Sequence, residues 1–191
     1  MQIRVLFAVS SAAFGLAAGQ LAAQTRDLPT SKQWIGPIPG LPEQLNSLPM
    51  SMAVSPDGRY VVTVNAGYGT FESDYEQSLA VLDTQTGALA DFPEARTLVN
   101  AKQTLYSGLA FSRDGSRLYA SIGSIDDPLG GSKGDTGSGV VVYRFSEGKI
   151  APERLIHLPL QQLAPGRKTK LIGDVEGDKG VPFPAALAVV G

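Results

Sequence analysis

One phrase occurs twice in this chain, and it restricts the fold more than any bulk property. Residues 55–65 read SPDGRYVVTVN and residues 112–122 read SRDGSRLYASI, so that Ser, Asp and Gly recur at an offset of 57 positions. Upstream, MAV at 52–54 stands over LAF at 109–111; downstream, YVVT at 60–63 stands over RLYA at 117–120. Each copy has the chemistry of a β-hairpin. Pro56 fixes φ at the start of a turn, and the pairs Asp57-Gly58 and Asp114-Gly115 supply a side-chain acceptor followed by a residue that tolerates positive φ. The run after the turn alternates around β-branched residues, as a strand with one face in a core does.

A second hairpin follows each copy: SLAVLD-TQTG-AL at 78–89, turning at Asp83 and Gly87, and GVVVYRF-SEGK-IAPERLI at 139–156. The unit is therefore four strands, A to D. PAALAVVG at 184–191 aligns with the start of another unit, Leu187 over Leu109, and SKQWIGPIPG at 31–40 reads as an outer strand followed by a Pro-rich connection. Four-stranded units recurring at intervals of tens of residues predict an all-β fold of the β-propeller kind: two complete blades plus the first strand of a third. A β-sandwich also supplies short alternating strands but does not require the Ser-x-Asp-Gly turn to recur at one place in the unit. The expected divisions are 24–48 as an N-terminal segment, 49–105 as blade 1, 106–183 as blade 2 with a long connection, and 184–191 as the start of blade 3.

Composition agrees with many short elements joined by turns. Of 191 residues, 22 are Gly and 13 are Pro, only 18% are charged, and 43% are hydrophobic; such a chain builds a core from strands rather than from a helical bundle. The net charge of −2 and the lack of Lys/Arg runs beyond GRKTK at 166–170 exclude the phosphate-neutralising surface a nucleic-acid partner needs.

The first 23 residues follow a different logic. Arg4 provides a positive start, VLFAVSSAAFGLAAG at 5–19 an apolar stretch, and small residues follow, which is the form of a secretory signal peptide cleaved after Ala23. The stretch is short and small-residue-rich for a membrane span, and no second apolar run of about 20 residues follows it. With no cysteine, neither disulfides nor lipid attachment through an N-terminal cysteine is available. The expected location is periplasmic or extracellular, with no membrane span after cleavage.

At these residues the chain resembles the YVTN-repeat propellers. SPDGRYVVTVN followed by SLAVLDTQTG is similar to that family's blade, with Val62, Thr63, Val64 and Asn65 near the eponymous motif and Asp83, Thr86 and Gly87 at the third strand and its turn. The second copy keeps the turn and VVVYRF but has Ile122 where the asparagine stands. The resemblance spans residues 52–145 and implies a ring of commonly seven blades, so the chain is expected to be the N-terminal part of a longer protein with the remaining blades in cis. Similar propellers also precede phosphoesterase domains of the alkaline-phosphatase type, or hydrolyse sugar lactones. The second alternative needs acidic or His residues on the inner strands, and MAV, LAF and LAV offer none.

In a four-stranded blade, A–B and C–D turns lie at one end and the other connections at the opposite end. The tight turns SPDG, TQTG, SRDG and SEGK fall at the first end. The long segments AGYGTFESDYEQ at 66–77, GSIDDPLGGSKGDTGSG at 123–139 and the connection at 157–183 fall at the second, where a binding site is expected. The candidate ligand-binding residues there are Tyr68, Phe71, Asp74, Tyr75, Asp126, Asp127 and Asp135; aromatics with carboxylates suit sugars or cationic groups. Asp174, Glu176 and Asp178 space oxygens as a calcium loop does, but Lys179 takes the place of the sharp-turn glycine and Ala185 that of the bidentate glutamate, so a solvated acidic loop is the better reading. GGSKGDTGSG at 130–139 lacks Gly-Lys-Ser/Thr and precedes a strand rather than a helix, which makes it a flexible loop instead of a phosphate cradle. The sole histidine, His157, leaves no Ser-His-Asp relay or two-histidine metal site to assemble, and Asn65 reads as a strand-end hydrogen-bonding residue. The expectation is a binding or interaction module with no catalytic residues and no cofactor, engaging an unknown ligand or protein through its long-loop end.

Overall fold

A computed structural model describes residues 25–28, 32–35, 49–66, 77–94, 103–134, 136–172 and 175–190. These residues contain strands and no helix. The chain divides into two units, Met1–Gly40 and Leu41–Gly191. The first holds one antiparallel hairpin, β1 (Thr25–Leu28) and β2 (Lys32–Ile35), in register from Thr25 opposite Ile35 to Leu28 opposite Lys32. The expected strand near Trp34 is present as β2, and its partner β1 was not anticipated.

The second unit is built on two four-stranded antiparallel sheets, each a meander in chain order. Sheet 1 consists of β3 (Pro49–Val54), β4 (Tyr60–Asn65), β5 (Ser78–Asp83) and β6 (Leu89–Pro93). Sheet 2 consists of β7 (Gln103–Phe111), β8 (Arg117–Ser124), β9 (Gly139–Ser146) and β10 (Lys149–His157). The two repeats of the sequence are thus two repeats of one sheet.

The repeated phrase has a shared hydrogen-bonding reason. In both sheets the serine N–H and C=O close the hairpin: Ser55 N–H donates to the Tyr60 carbonyl at 2.8 Å and Ser112 N–H to the Arg117 carbonyl at 2.9 Å, while Gly58 and Gly115 donate back to the serine carbonyls. The serine hydroxyls donate to Asp57 at 2.5 Å and Asp114 at 2.6 Å, and each accepts from the amide five residues on at 2.9 Å. Gly58 and Gly115 adopt φ of 72° and 73°, the left-handed region that side chains with a Cβ avoid.

Register sets which faces meet. Tyr60, Val62, Val64, Leu79 and Val81 on one face of sheet 1 pack against Leu105, Leu109, Phe111, Leu118, Ala120, Ile122, Val141 and Tyr143 of sheet 2 in a single core, with β7 running beside β3 and β4. Edge-to-face aromatic contacts of Phe145 with Tyr60 at 5.3 Å and with Phe111 at 4.9 Å close the core near the tight turns. At the opposite end Gln77, just before β5, donates to the Gln103 carbonyl at 2.9 Å and accepts the Leu105 N–H at 2.5 Å. Tyr143 hydroxyl donates to the buried carboxylate of Glu94, which follows β6.

Strand β7 departs from regular pairing. Leu105 faces Ile122 but Leu109 faces Ala120, so two extra residues are accommodated, and Gly108 donates to the Ser121 hydroxyl at 2.8 Å. A Cβ at Gly108 would lie 2.8 Å from that oxygen and 2.9 Å from Leu187, so any larger residue must push one of these side chains aside.

The connection after β10, where the sequence predicts only loop, contains two small antiparallel ladders. Strand β11 (Gln161–Gln162) pairs with β14 (Lys179–Gly180), and β12 (Thr169–Ile172) with β13 (Val175–Gly177). Residues 181–190 carry no strand, unlike the expected opening strand of a further unit. They nevertheless lie against sheet 2: the Ser107 hydroxyl donates to the Ala185 carbonyl at 2.6 Å, and Phe183 sits where a Cβ at Gly123 would be, 2.6 Å from its ring. The segment covers sheet 2 with side chains but lacks the backbone ladder that defines a strand.

Candidate functional site

In an antiparallel meander alternate connections share an end. The four tight turns, at 55–58, 84–87, 112–115 and 147–148, therefore lie opposite the connections at 66–77 and 125–138 and the one leaving β10. A cleft of about 470 Å³ opens among the tight turns, with Tyr60 and Phe145 in its lining and Asp57, Asp114 and Glu147 around them. Its aspartates are committed to the hairpins. Asp57 accepts from the Ser55 hydroxyl and the Arg59 amide, and these bonds, the hydroxyl first, hold its carboxyl below the usual carboxylate value. Asp114 is held down at about 2 by the Ser112 hydroxyl and by the Ser116 amide and hydroxyl. Asp83, the turn residue between β5 and β6, is lowered chiefly by Arg59, whose guanidinium lies 2.9 Å away, and it also caps the amides of Gln85 and Thr86. These carboxylates hold their turns shut.

The long-loop end is organised by one residue. Asp127 accepts from Gly131 N–H at 2.7 Å, Ser132 N–H at 2.9 Å and the Thr136 hydroxyl at 2.6 Å, and its own N–H donates to the Ser124 hydroxyl at 3.1 Å. Burial by itself would push the Asp127 carboxyl up; the bonds from Thr136, Ser132 and Gly131 outweigh it and hold the group at about 2. Ser124 and Ser138 tie the stem of the loop through their buried hydroxyl and backbone groups, and Gln103 donates to the Gly137 carbonyl at 3.2 Å. His157 packs beside the loop: a Cβ at Gly130 would lie 2.6 Å from its Cε1, and one at Gly137 3.2 Å from its Nδ1. The segment expected to be a flexible Gly-rich loop is thus a braced structure.

That brace lifts three side chains into solvent. Ile125 and Leu129 are 55% and 54% exposed, and Asp126 is exposed beside Ile125. Of the candidates named from sequence, Asp126 stands at this surface, whereas Asp127 faces inward as its organiser. Tyr68, Phe71, Asp74, Tyr75, Asp135 and Asp174 lie outside the described residues, and Glu176 is described only as part of β13. Asp178 accepts from the Gln162 side-chain amide at 2.8 Å, and its carbonyl accepts the Leu163 N–H, so it closes the β11–β14 ladder. Among the described residues no three His, Asp or Glu side chains gather as a metal site. Asn65 behaves as read: fully buried, it donates to the Ser78 hydroxyl at 3.0 Å and accepts from Thr63 at 3.3 Å, across the mouth of the 66–77 connection.

Sequence reasoning missed Gln77, Thr136 and the pair Ile125 and Leu129. Ile125 and Leu129 were visible as apolar residues inside a Gly/Ser-rich loop, an unusual place for them; the roles of Gln77 and Thr136 depend on partners that only folding supplies. No protein-family model matches this chain, and no curated protein matches it.

Proposed function

We propose that this chain is an exported β-propeller segment of the YVTN-repeat kind that works as a non-catalytic binding module, engaging its ligand at the long-loop end. The observation that carries the reading is the division of labour between the two ends of the sheets. The carboxylates of Asp57, Asp83 and Asp114 brace hairpins at one end, whereas at the other the Asp127-braced loop carries the exposed apolar side chains of Ile125 and Leu129 beside Asp126. An apolar pair flanking a carboxylate on an ordered loop suits the apolar face of a sugar or a peptide with a cationic group. The propeller part of the reading is supported by the repeated meander, the recurring turn and the adjacency of the two A strands, β3 and β7.

The test pairs a turnover assay with a binding assay. The chain is incubated with p-nitrophenyl phosphate and with gluconolactone, and is applied in parallel to a glycan array and a basic-peptide array. The expected result is no turnover of either substrate and array binding that disappears in the double variant Ile125→Asp, Leu129→Asp. Turnover of either compound, or binding unaffected by the double variant, overturns the reading.

A further inference from the structure

The residue that braces the long loop also precedes a proline: Asp127 and Pro128 form the single Asp-Pro pair of the chain. An Asp-Pro peptide bond is the one most readily broken in mild acid. The aspartate carboxylate reaches its own carbonyl carbon and closes a cyclic anhydride, and the tertiary amide nitrogen of proline, easily protonated, is a good leaving group. What governs the rate is whether that carboxylate is at liberty to attack.

In this loop it is not. Oδ1 of Asp127 accepts the Gly131 N–H at 2.7 Å, and Oδ2 accepts the Ser132 N–H at 2.9 Å and the Thr136 hydroxyl at 2.6 Å, so both oxygens that could attack have lone pairs engaged by donors further along the loop. The carbonyl under threat is polarised, since it accepts the Gly130 N–H at 3.2 Å. On the leaving side Pro128 is buried and its carbonyl accepts the Ser138 N–H at 3.1 Å, which shields the nitrogen that must take up a proton. Among the described residues the other titratable groups around the loop are Asp126 and Lys133 within it and His157 at the end of β10, beside Gly130 and Gly137.

We propose that the Asp127–Pro128 bond is a latent self-scission site, held back by the hydrogen bonds that Gly131, Ser132 and Thr136 make to its nucleophile. When these bonds open, a carboxylate oxygen of Asp127 adds to the Asp127 carbonyl carbon. The C–N bond to Pro128 then breaks, its electron pair stays on nitrogen, and the nitrogen takes a proton from solvent. The anhydride left on Asp127 adds one water to give a free C-terminal aspartate, so water is the sole co-reactant and nothing is oxidised or reduced. The cut separates Ile125 from Leu129, while β8 and β9 on either side stay paired from Arg117 opposite Arg144 to Ile122 opposite Gly139; the two fragments therefore remain together in the folded protein. The inference stands on the brace and is independent of the binding role.

The test incubates the full chain and Thr136→Val for days at a pH just above the ordinary aspartate value of 3.8, where the native brace is intact, and follows both by denaturing mass spectrometry. The expected products end at Asp127 and begin at Pro128, and their masses sum to that of the intact chain plus one water. Scission is expected to be roughly tenfold to hundredfold faster in Thr136→Val, because losing a hydrogen bond to a charged group raises the open population by about that factor. Thr136→Ser, which keeps the hydroxyl, is expected to cut at the native rate, and Pro128→Ala and Asp127→Asn not to cut at this bond. Equal rates in the native chain and Thr136→Val, no cut at this bond in Thr136→Val, or a cut that persists in Pro128→Ala overturns the proposal. Circular dichroism at the same pH shows whether Thr136→Val is folded; where it is not, the native chain with and without urea replaces the pair, faster scission in urea supporting the proposal and equal rates overturning it.

Discussion

The side chain of Gln77 completes a strand to which it does not belong: its Oε1 accepts the Leu105 N–H at 2.5 Å while its Nε2 donates to the Gln103 carbonyl at 2.9 Å. Leu105 is fully buried, and β7 is an edge of sheet 2 whose outward N–H groups have no neighbouring strand in that sheet. Replacing Gln77 by Leu strands those backbone groups, and a buried unpaired donor costs about 1–3 kcal/mol. Urea unfolding of Gln77→Leu is expected to show a midpoint lowered accordingly with an unchanged slope; Gln77→Glu, which keeps the acceptor but loses the donor, is expected to fall between it and the native chain.

Tyr143 and Glu94 link the sheets a second time. Removing the hydroxyl in Tyr143→Phe takes a hydrogen bond from a carboxylate that is 9% exposed, and bonds to charged groups contribute about 1.5–3 kcal/mol. Thermal unfolding checks this. A melting temperature equal to that of the native chain would show that the contact is not formed in solution.

Acid stability follows from Asp127 and Asp114. Both carboxyls lie near 2 in the folded chain against an ordinary 3.8. A depressed folded value means that the unfolded chain binds protons first as pH falls, so the stability these groups confer is complete above about 3.8 and is lost between there and about 2. The unfolding free energy of Asp127→Asn is expected to depend less steeply on pH within that window and to match the native slope above pH 5 or so. An identical slope in the two proteins refutes the assignment.

Gly108 is closely enclosed by the side chains of Ser121 and Leu187. In Gly108→Ala the added methyl must displace Ser121 or Leu187, an overpacking of about 1–3 kcal/mol. Pairing it with Leu187→Ala is expected to recover part of the loss; no recovery in the double variant would mean that Ser121 alone sets the constraint.

Export is tested by expressing the gene in a bacterial host and sequencing the N-terminus of the released protein. Processing after Ala23 predicts a chain beginning at Gln24. Retention of Met1, or a start elsewhere, refutes that cleavage point.

The parts of the fold that could be read from sequence are those written by local periodicity. Asp57 and Asp114 announce their turns because an Asx acceptor before a left-handed glycine acts over a few residues, and the alternation in YVVTVN and VVVYRF follows from the strand period of two. The β11–β14 ladder escaped because Gln161 and Gly180 are distant in sequence and each strand has two residues, too few to show a period. The same limit hid the site. Asp127 was recognised as a loop carboxylate, but whether it faces a ligand or Thr136 depends on how the loop folds back nine residues later. Gln77 shows no pattern at all, since its partners are 26 and 28 residues away.

The Asp127 brace changes what a ligand encounters. Because Gly131, Ser132 and Thr136 are already bound to one carboxylate, the conformational entropy of this stretch is surrendered when the chain folds and not when something binds. Under the binding role proposed above, a partner meeting Ile125 and Leu129 docks on a preorganised surface, and its affinity is tuned through the dissociation rate by the fit of those two side chains rather than by the time a loop needs to close.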